Sequence, residues 1–381
     1  MIRLSRANKS QLAEWWWTID RWTVLAILAL IALGVVFTLA ASPAVANRLS
    51  LDTFHFVYRQ AVFLVPALLI MFGVSFCDAR QVRRLAGLVF FGGLVLMLGT
   101  LLIGPEIKGA TRWLSFGRFS LQPSEFVKPA FVILAAWMFA EGARTKRVPG
   151  VAIALLLYAM FVTLLVLQPD FGQASLVTLV FGGLFFMVGI SWVWIVGLGA
   201  LGIGAAMAAY RMVPHVASRV DRFMDPASGD TYQIDRAMEA VQAGGLFGMG
   251  PGEGSVKLIL PDAHTDFVFA VATEEFGVLA GLIIIGLFAF IVIRTLVRAL
   301  EETDLFVQLA VSGLTLLIGA QALINLSVNL NLMPAKGMTL PFISYGGSSL
   351  LALALATGML LSLTRRRVHA GARPTEWRAY A

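Results

Sequence analysis

Charge is scarce in this chain. Only 13% of its 381 residues are Asp, Glu, Lys or Arg, and 59% are hydrophobic. Soluble domains carry about 25% charged and about 45–50% apolar residues, so a water-soluble fold is excluded. Cysteine is nearly absent: Cys77 stands alone, which rules out an internal disulfide. With four histidines besides, the chain has no His/Cys cluster of structural-metal spacing. It also lacks a Gly-x-Ser-x-Gly nucleophile elbow, a Walker loop and a Rossmann fingerprint placed between strand and helix. The short alternating runs of a transmembrane barrel are missing, and open sheets cannot cross a bilayer with their edges unpaired. What remains is an all-α, polytopic membrane protein.

The apolar runs are long and continuous, and a helix needs roughly 20 apolar residues to cross the hydrocarbon core. Ten spans are expected, at 22–41, 57–76, 84–103, 123–141, 149–167, 172–190, 192–210, 267–297, 305–330 and 340–363. The first is too long for a cleaved signal and is expected to be retained. An even count puts both termini on one side. Arg3, Arg6, Lys9 and Arg21, then Arg80, Arg83 and Arg84, then Arg144, Lys146 and Arg147, then Arg294 and Arg298, and the tail Arg365, Arg366 and Arg367 all fall on that side. By the positive-inside rule it is cytoplasmic. The chain is therefore expected to be one membrane domain, with a cytoplasmic N-terminus (1–21), a cytoplasmic tail (364–381) and a long periplasmic loop (211–266) between spans seven and eight. The net charge of +7 fits basic loops and anionic headgroups, and no nucleic-acid partner is expected.

Against this apolar background, polar clusters are informative. A charge at membrane depth costs on the order of 3 kcal/mol and usually lines a wet cavity. The run 260–277 places Asp262, His264 and Asp266 at the mouth of span eight, with Glu274 and Glu275 inside it. Asp266 has two readings: an N-cap for that span, or a general base at the water boundary, where desolvation raises a carboxylate's proton affinity. Glu274 lies too far along a helix to share its proton and reads as a packing or cavity group. In the first outer loop, Arg112 and Trp113 read as an interfacial anchor or as ligand contacts. Glu125 and Lys128, three apart on one helix face, read as an ion pair or as a polar patch with Lys128 open to a phosphate. Arg59 in span two snorkels or faces a cavity, and Asp170 reads first as a helix cap. Six glycines between Gly244 and Gly254 suit a hinge or a close approach to a ligand. Before span ten, Pro334, Gly337 and Pro341 break the helix and set Lys336, Ser344, Tyr345, Ser348 and Ser349 near one another in sequence.

Four blocks in order, Gly109–Trp113, Gln122–Glu125 with Lys128, Leu260–Phe267 with Glu274–Gly277, and Leu340–Ser349, resemble the SEDS (shape, elongation, division and sporulation) family of peptidoglycan glycosyltransferases. The Lys336–Pro341 form is closer to the division branch than to the elongation branch. Asp262 stands where glutamate is common and Asn331 where glycine is common. The resemblance implies an outward-facing cavity for two lipid-linked substrates, with Asp266 as the catalytic base. Lipid II is the acceptor, and the donor is the growing glycan on undecaprenyl pyrophosphate. Arg59, Arg112, Lys128 and Lys336 are then the cations for the departing diphosphate, with Trp113, Glu125, His264, Ser344 and Ser348 as further substrate contacts. It also implies a divalent cation (Mg or Mn) with unassigned ligands, an inner-membrane location, and a class B penicillin-binding protein as partner among other division membrane proteins. A lipid II flippase, a scaffold without chemistry and an elongation-type polymerase are the alternatives.

Overall fold

The structure, a computed structural model, describes residues 10–106, 110–117, 119–189, 192–225 and 231–365. The described residues form thirteen α-helices and one short β ribbon. In chain order these are α1 (Gln11–Thr18), α2 (Arg21–Arg48), α3 (His55–Ser75), α4 (Ala79–Ile103), β1 (Leu114–Phe116) and β2 (Phe119–Leu121). They continue with α5 (Pro123–Arg144), α6 (Gly150–Leu167), α7 (Phe171–Met187), α8 (Trp192–Met212), α9 (Pro214–Met224) and α10 (Tyr232–Ala243). The last are α11 (Val268–Glu301), α12 (Leu305–Asn329) and α13 (Gly347–Leu363). Each of the ten expected spans coincides with a helix. Seven of these (α2 to α6, α11 and α12) are long and apolar enough to cross a membrane, and α7 and α13 are shorter apolar helices. The chain is a multi-pass helical membrane protein.

Two helices form the centre. The most apolar stretch of α12 is 72% buried and that of α5 is 61% buried, against 17% for α3 at the periphery. Small residues allow the close crossings: the Gly150 Cα lies so near Gly142 that an added Cβ would sit 2.9 Å from the Gly142 Cα. The loop 104–122 closes with β1 and β2 paired antiparallel, Leu114 opposite Leu121. Lys108 and Gly109 of the first motif lie outside the described residues, as do Arg3, Arg6, Lys9 and the tail beyond Arg365.

Three expectations change. Span ten does not begin at 340: α13 starts at Gly347, because Leu340–Tyr345 folds into turns in which the Ser344 Oγ accepts the Leu340 N–H at 2.8 Å. The long 211–266 connection holds α9, α10 and a 3-10 turn at Val256–Leu258. The glycine-rich stretch, expected as a hinge or a close approach to a ligand, instead packs backbone against backbone within the fold. It inserts into a break in α11 at Gly277, whose φ of 80° and ψ of 174° are not helical. There Met249 and Gly250 donate to the carbonyls of Glu274 and Glu275 (2.9 and 3.0 Å), while Val278 donates to Gly245 at 2.9 Å. The backbone groups freed by the break are thus satisfied by the inserted segment, as the low dielectric demands. Glycine at 248 is required, since a Cβ there would collide with the Glu275 carbonyl. Glu274 accepts the N–H groups of Val256 and Lys257 at 2.7 and 3.0 Å, and Glu275 pairs with the Lys257 ammonium. Through these contacts both glutamates serve the architecture, Glu275 by its Oε1.

Candidate active site

A cleft of about 660 Å³ opens at the end of the bundle where the 104–122 loop, the 260–267 turns and the 335–346 segment converge. Its size falls in the usual range for ligand pockets, roughly 300–1,000 Å³. Asp266 lies on its wall, half-buried, in the run of turns before α11. The N-cap position belongs to Phe267, with no side-chain cap bond, so Asp266 does not cap that helix.

The backbone of Asp266 is fixed from α12. Asn325 and Asn329 each donate an amide N–H to the Asp266 carbonyl, both at 2.9 Å. Asn325 also donates to the Met338 carbonyl at 2.6 Å, and Asn329 accepts the Ala270 N–H at 3.2 Å. One turn back, Gln321 donates to the Thr339 carbonyl at 3.1 Å. Residues 321, 325 and 329 recur at four-residue spacing and so share one helix face, forming an amide stripe that holds both loops. Those loops also hold each other. Tyr345 donates its N–H to the His264 carbonyl at 2.9 Å, and the Ser344 hydroxyl donates to the Thr265 carbonyl at 2.5 Å. Gly337 faces the carboxylate: a Cβ there would lie 3.7 Å from the Asp266 Oδ2.

Arginines share the cleft with this carboxylate and with Glu125, Asp170 and Asp262. Arg59 from α3, Arg112 and Arg219 from α9 line the same cleft. The charge of Arg219 is felt against Arg112 and Arg222 and against Asp170 and Asp266, which places these groups in one electrostatic neighbourhood. Arg112 is anchored: its Nε donates to the Gln168 carbonyl at 3.2 Å, Nη2 to the Pro169 carbonyl, and Nη1 lies 3.5 Å from the Asp170 Oδ1. Burial pushes the Asp170 carboxyl up from its ordinary value, and the Arg112 charge opposes that shift.

The sequence-predicted residues divide. Asp266, Arg59, Arg112, Trp113, Glu125 and Ser348 are on the cleft wall. Ser348 bridges the ribbon to α5, accepting the Gln122 N–H and donating to the Ser120 carbonyl, both at 3.1 Å. Four others take different places. Lys128 is buried, and its three N–H groups meet Glu125 (2.9 Å), Gln173 (2.8 Å) and Gln321 (3.3 Å). An ammonium has three donors, so none is left for a phosphate. The ion-pair reading of Glu125 and Lys128 is the one the geometry adopts. Lys336 has its Nζ 3.4 Å from the Ser175 Oγ, off the cleft lining, and burial lowers its pKa. Ser344 spends its hydroxyl on the two loop bonds above. His264 packs its ring 4.3 Å from Phe56 and 5.5 Å from Tyr345, and burial lowers its pKa to about 4.

Sequence reasoning missed Arg219, Gln173 and Asn325 as lining residues and gave Asp170 only its capping role. Asp170 does cap α7, accepting the Gln173 N–H at 3.4 Å, but it also faces the cleft and pairs with Arg112. The signal for the amide stripe was present as Gln321, Asn325 and Asn329 inside an otherwise apolar span.

The fold and cleft define a class: a polytopic membrane protein with a charged cavity at a bundle end, where Arg59, Arg112 and Arg219 meet Glu125, Asp170, Asp262 and Asp266. The FtsW/RodA/SpoVE family model, described as a cell cycle protein, matches residues 21–369, and the chain belongs to this family. A Caulobacter vibrioides protein named probable peptidoglycan glycosyltransferase FtsW is 49% identical over 95% of this chain and 93% of its own length. A Coxiella burnetii protein of the same name is 34% identical over 91% of this chain and 96% of its own. Among solved structures, a chain from a peptidoglycan synthase complex, studied for coordination of polymerization and crosslinking, superposes with a TM-score of 0.75 and 32% identity. It covers 91% of this chain and 97% of the other. The rod shape determining protein RodA of Thermus thermophilus gives a TM-score of 0.68 and 31% identity, over 92% of this chain and 97% of its own.

Proposed function

We propose that this chain is a peptidoglycan glycosyltransferase of the division type, which polymerises lipid II into glycan strands during septal wall synthesis. The observation that carries the reading is Asp266: one carboxylate, with its backbone clamped, on the wall of a cleft that Arg59, Arg112 and Arg219 also line. Membership of the family, with relatives named for this activity, supports it.

The reaction follows from those parts. The acceptor's sugar 4-hydroxyl lies against Asp266, which takes its proton as the oxygen attacks C1 of the donor. The new C1–O bond forms as the C1–O bond to the diphosphate breaks, and the electron pair leaves on undecaprenyl pyrophosphate with inversion at C1. A positioned base contributes about 10²–10⁴ in rate. The guanidiniums stabilise the negative charge that grows on the leaving group, where fixed cations act with little reorganisation.

The division reading also brings a divalent cation, magnesium or manganese. Among the described residues no three His, Cys, Asp or Glu side chains come together, and Asp170 and Glu125 face Arg112 and Lys128. The residues present do not fit a resident metal cage. A cation of this kind would arrive on the diphosphate oxygens, as magnesium commonly does, and no step above depends on it. The asymmetry of basic residues along the sequence supports an inner-membrane orientation with both termini cytoplasmic and the cleft toward the periplasm. A class B penicillin-binding protein is the proposed partner, in keeping with the synthase complex that resembles this fold.

The test is polymerisation of labelled lipid II by the purified full chain with its cognate transpeptidase. Wild type is expected to give a glycan ladder and Asp266→Asn none. Equal polymer from both would remove Asp266 as the base. Lipid translocation without polymer would replace the enzyme by a flippase.

A further inference from the structure

The segment that fills the break in α11 has a reversed polarity. Its charged side chains are inside: Lys257, Glu274 and Glu275 are all buried. Its large apolar side chains are outside: Leu246 is 64% exposed and Phe247 80% exposed, and Met249 is exposed beside them. A loop in water shows the opposite arrangement. Contiguous apolar exposure of this kind marks a surface that meets something other than water.

The depth of the segment follows from two helices. Arg294 of α11 pairs with Asp20, the N-cap of α2, so both helices can be measured from one charged cluster. From Arg294 back to Val278, α11 rises about 24 Å at 1.5 Å per residue. There Val278 and Leu279 donate their N–H groups to the carbonyls of Gly245 and Leu246, at 2.9 and 3.3 Å. From Arg21 to Ala40, α2 rises about 28 Å. The Ala40 carbonyl accepts the Lys257 ammonium at 3.4 Å. The hydrocarbon core of a bilayer is about 30 Å thick, and helix tilt only lowers these heights. With the charged cluster at one edge of the slab, both helices place the segment just inside the other edge.

The backbone is arranged as that depth requires. Gly248 donates to the Gly244 carbonyl at 2.7 Å, and Met249 and Gly250 donate to the carbonyls of Glu274 and Glu275. The main chain is turned toward α11 while Leu246 and Phe247 point away from the fold. Irregular backbone is tolerated at membrane depth in this form, with its polar groups held against protein. Leu246 adjoins Leu279, and the exposed apolar face of α11 continues through Leu282. We propose that residues 244–250 form a re-entrant membrane anchor, in which Leu246 and Phe247 insert among the lipid acyl chains of the leaflet on the side of the cleft. The connection between α8 and α11 then returns to the bilayer before α11 begins. α10 links the anchor to the cleft, since its C-terminal end at Ala243 leads into the segment and Gln233 near its other end lines the cleft wall. The anchor sets the height of that wall relative to the lipid.

Spin labelling of the full chain in phospholipid vesicles tests this. Cys77 is the single native cysteine, so a Cys77→Ala background carries one label at a time. Phe247→Cys is the probe, Leu282→Cys the lipid reference, and the exposed position Glu253→Cys the water reference. The label at 247 is expected to collide with oxygen as the label at 282 does, and to lose the contact with a nickel chelate that the label at 253 keeps. Unlabelled Phe247→Cys is expected to resist a membrane-impermeant maleimide in vesicles where Glu253→Cys reacts, and to react once unfolded in dodecyl sulfate. Nickel contact at 247 equal to that at 253, or maleimide reaction in intact vesicles, would overturn the anchor. A label shielded from oxygen and nickel alike would overturn it too, by giving the patch to a second copy of the chain. So would oxygen contact that disappears when the cognate transpeptidase is added, since a partner's span would then be the occupant.

Discussion

Both ends of this helix bundle bring arginines to an aspartate, and the two arrangements differ in what lies beside them. Around Asp20 the match is closed. Arg294 donates to both carboxylate oxygens (2.8 and 2.9 Å), Arg298 lies 3.0 Å away, and the Thr23 hydroxyl adds a bond at 2.7 Å. Burial alone would raise the Asp20 pKa, but the Arg294 and Thr23 hydrogen bonds and the Arg298 charge outweigh it and hold the carboxyl low. The pair ties the start of α2 to the end of α11, and Arg298 continues to the Thr364 carbonyl after α13 at 3.2 Å. Around Asp266 the charged groups border a cavity. Three guanidiniums and the carboxylates of Glu125, Asp170, Asp262 and Asp266 line one cleft with room for a ligand, and the Asp266 backbone is held from α12. A charge cluster sealed between helices serves the fold, and one that borders a cavity serves a ligand.

The largest effect should come from separating these roles. Asp266→Asn is expected to lower polymerisation about 10²–10⁴-fold while leaving the detergent melting temperature close to wild type, because that side chain neither caps α11 nor fills the core. Asp20→Ala should do the reverse. Removing one partner of a buried pair typically costs about 3–5 kcal/mol; with Arg294 and Arg298 partly solvated, about 2–3 kcal/mol is expected here. It should appear as a lower melting temperature with normal turnover per folded molecule. A stable Asp20→Ala variant, or an Asp266→Asn variant that melts early, would break the contrast.

Next in size is the clamp. Asn325→Ala removes one of two donors to the Asp266 carbonyl and the tie to Met338. A reacting group displaced by about 1 Å can lose about 10²-fold in rate, and with Asn329 still in place about 10-fold is expected, in kcat more than in KM. Asn325→Asp, which keeps the shape but loses the donor, should resemble Asn325→Ala. Wild-type kcat in both would leave the amide stripe a packing feature only.

The fold was legible because apolar runs of span length leave helices as the only alternative, and all ten places hold a helix. Where α13 starts was not legible, since 340–346 is apolar enough to be helical and is diverted by side-chain bonds from Ser344. The glycine-rich segment was misread because its partner, the break at Gly277, lies 23 to 33 residues away and only the folded chain brings them together. In the site, Asp266, Arg59 and Arg112 were readable as charges at the edge of apolar spans. Lys128 was readable as a charge but not as a saturated one, since two of its three acceptors, Gln173 and Gln321, come from α7 and α12. Arg219 was hidden among the several charges of a long connection, where nothing local marks which of them faces the cleft.

The smallest expected effect concerns the turn that carries Asp266. His264 is wedged between Phe56 and Tyr345, and its ring stays neutral in the folded protein down to about pH 4 because burial opposes the charge. Once unfolded, the same ring takes up a proton near the ordinary histidine value of about 6.5. Between these limits the unfolded chain binds more protons, so stability rises with pH. The contribution is intact above about pH 6.5 and is lost progressively as the pH falls toward about 4. With the ring half-buried, about 1–2 kcal/mol is expected across that window. His264→Phe keeps an aromatic wedge and removes the titration. Melting temperatures of the two proteins, measured from pH 7 to pH 4, should therefore converge or cross on the acid side, with the wild type losing more. Parallel pH profiles would show that other groups set the acid limit and that the wedge holds the turn whatever its proton count.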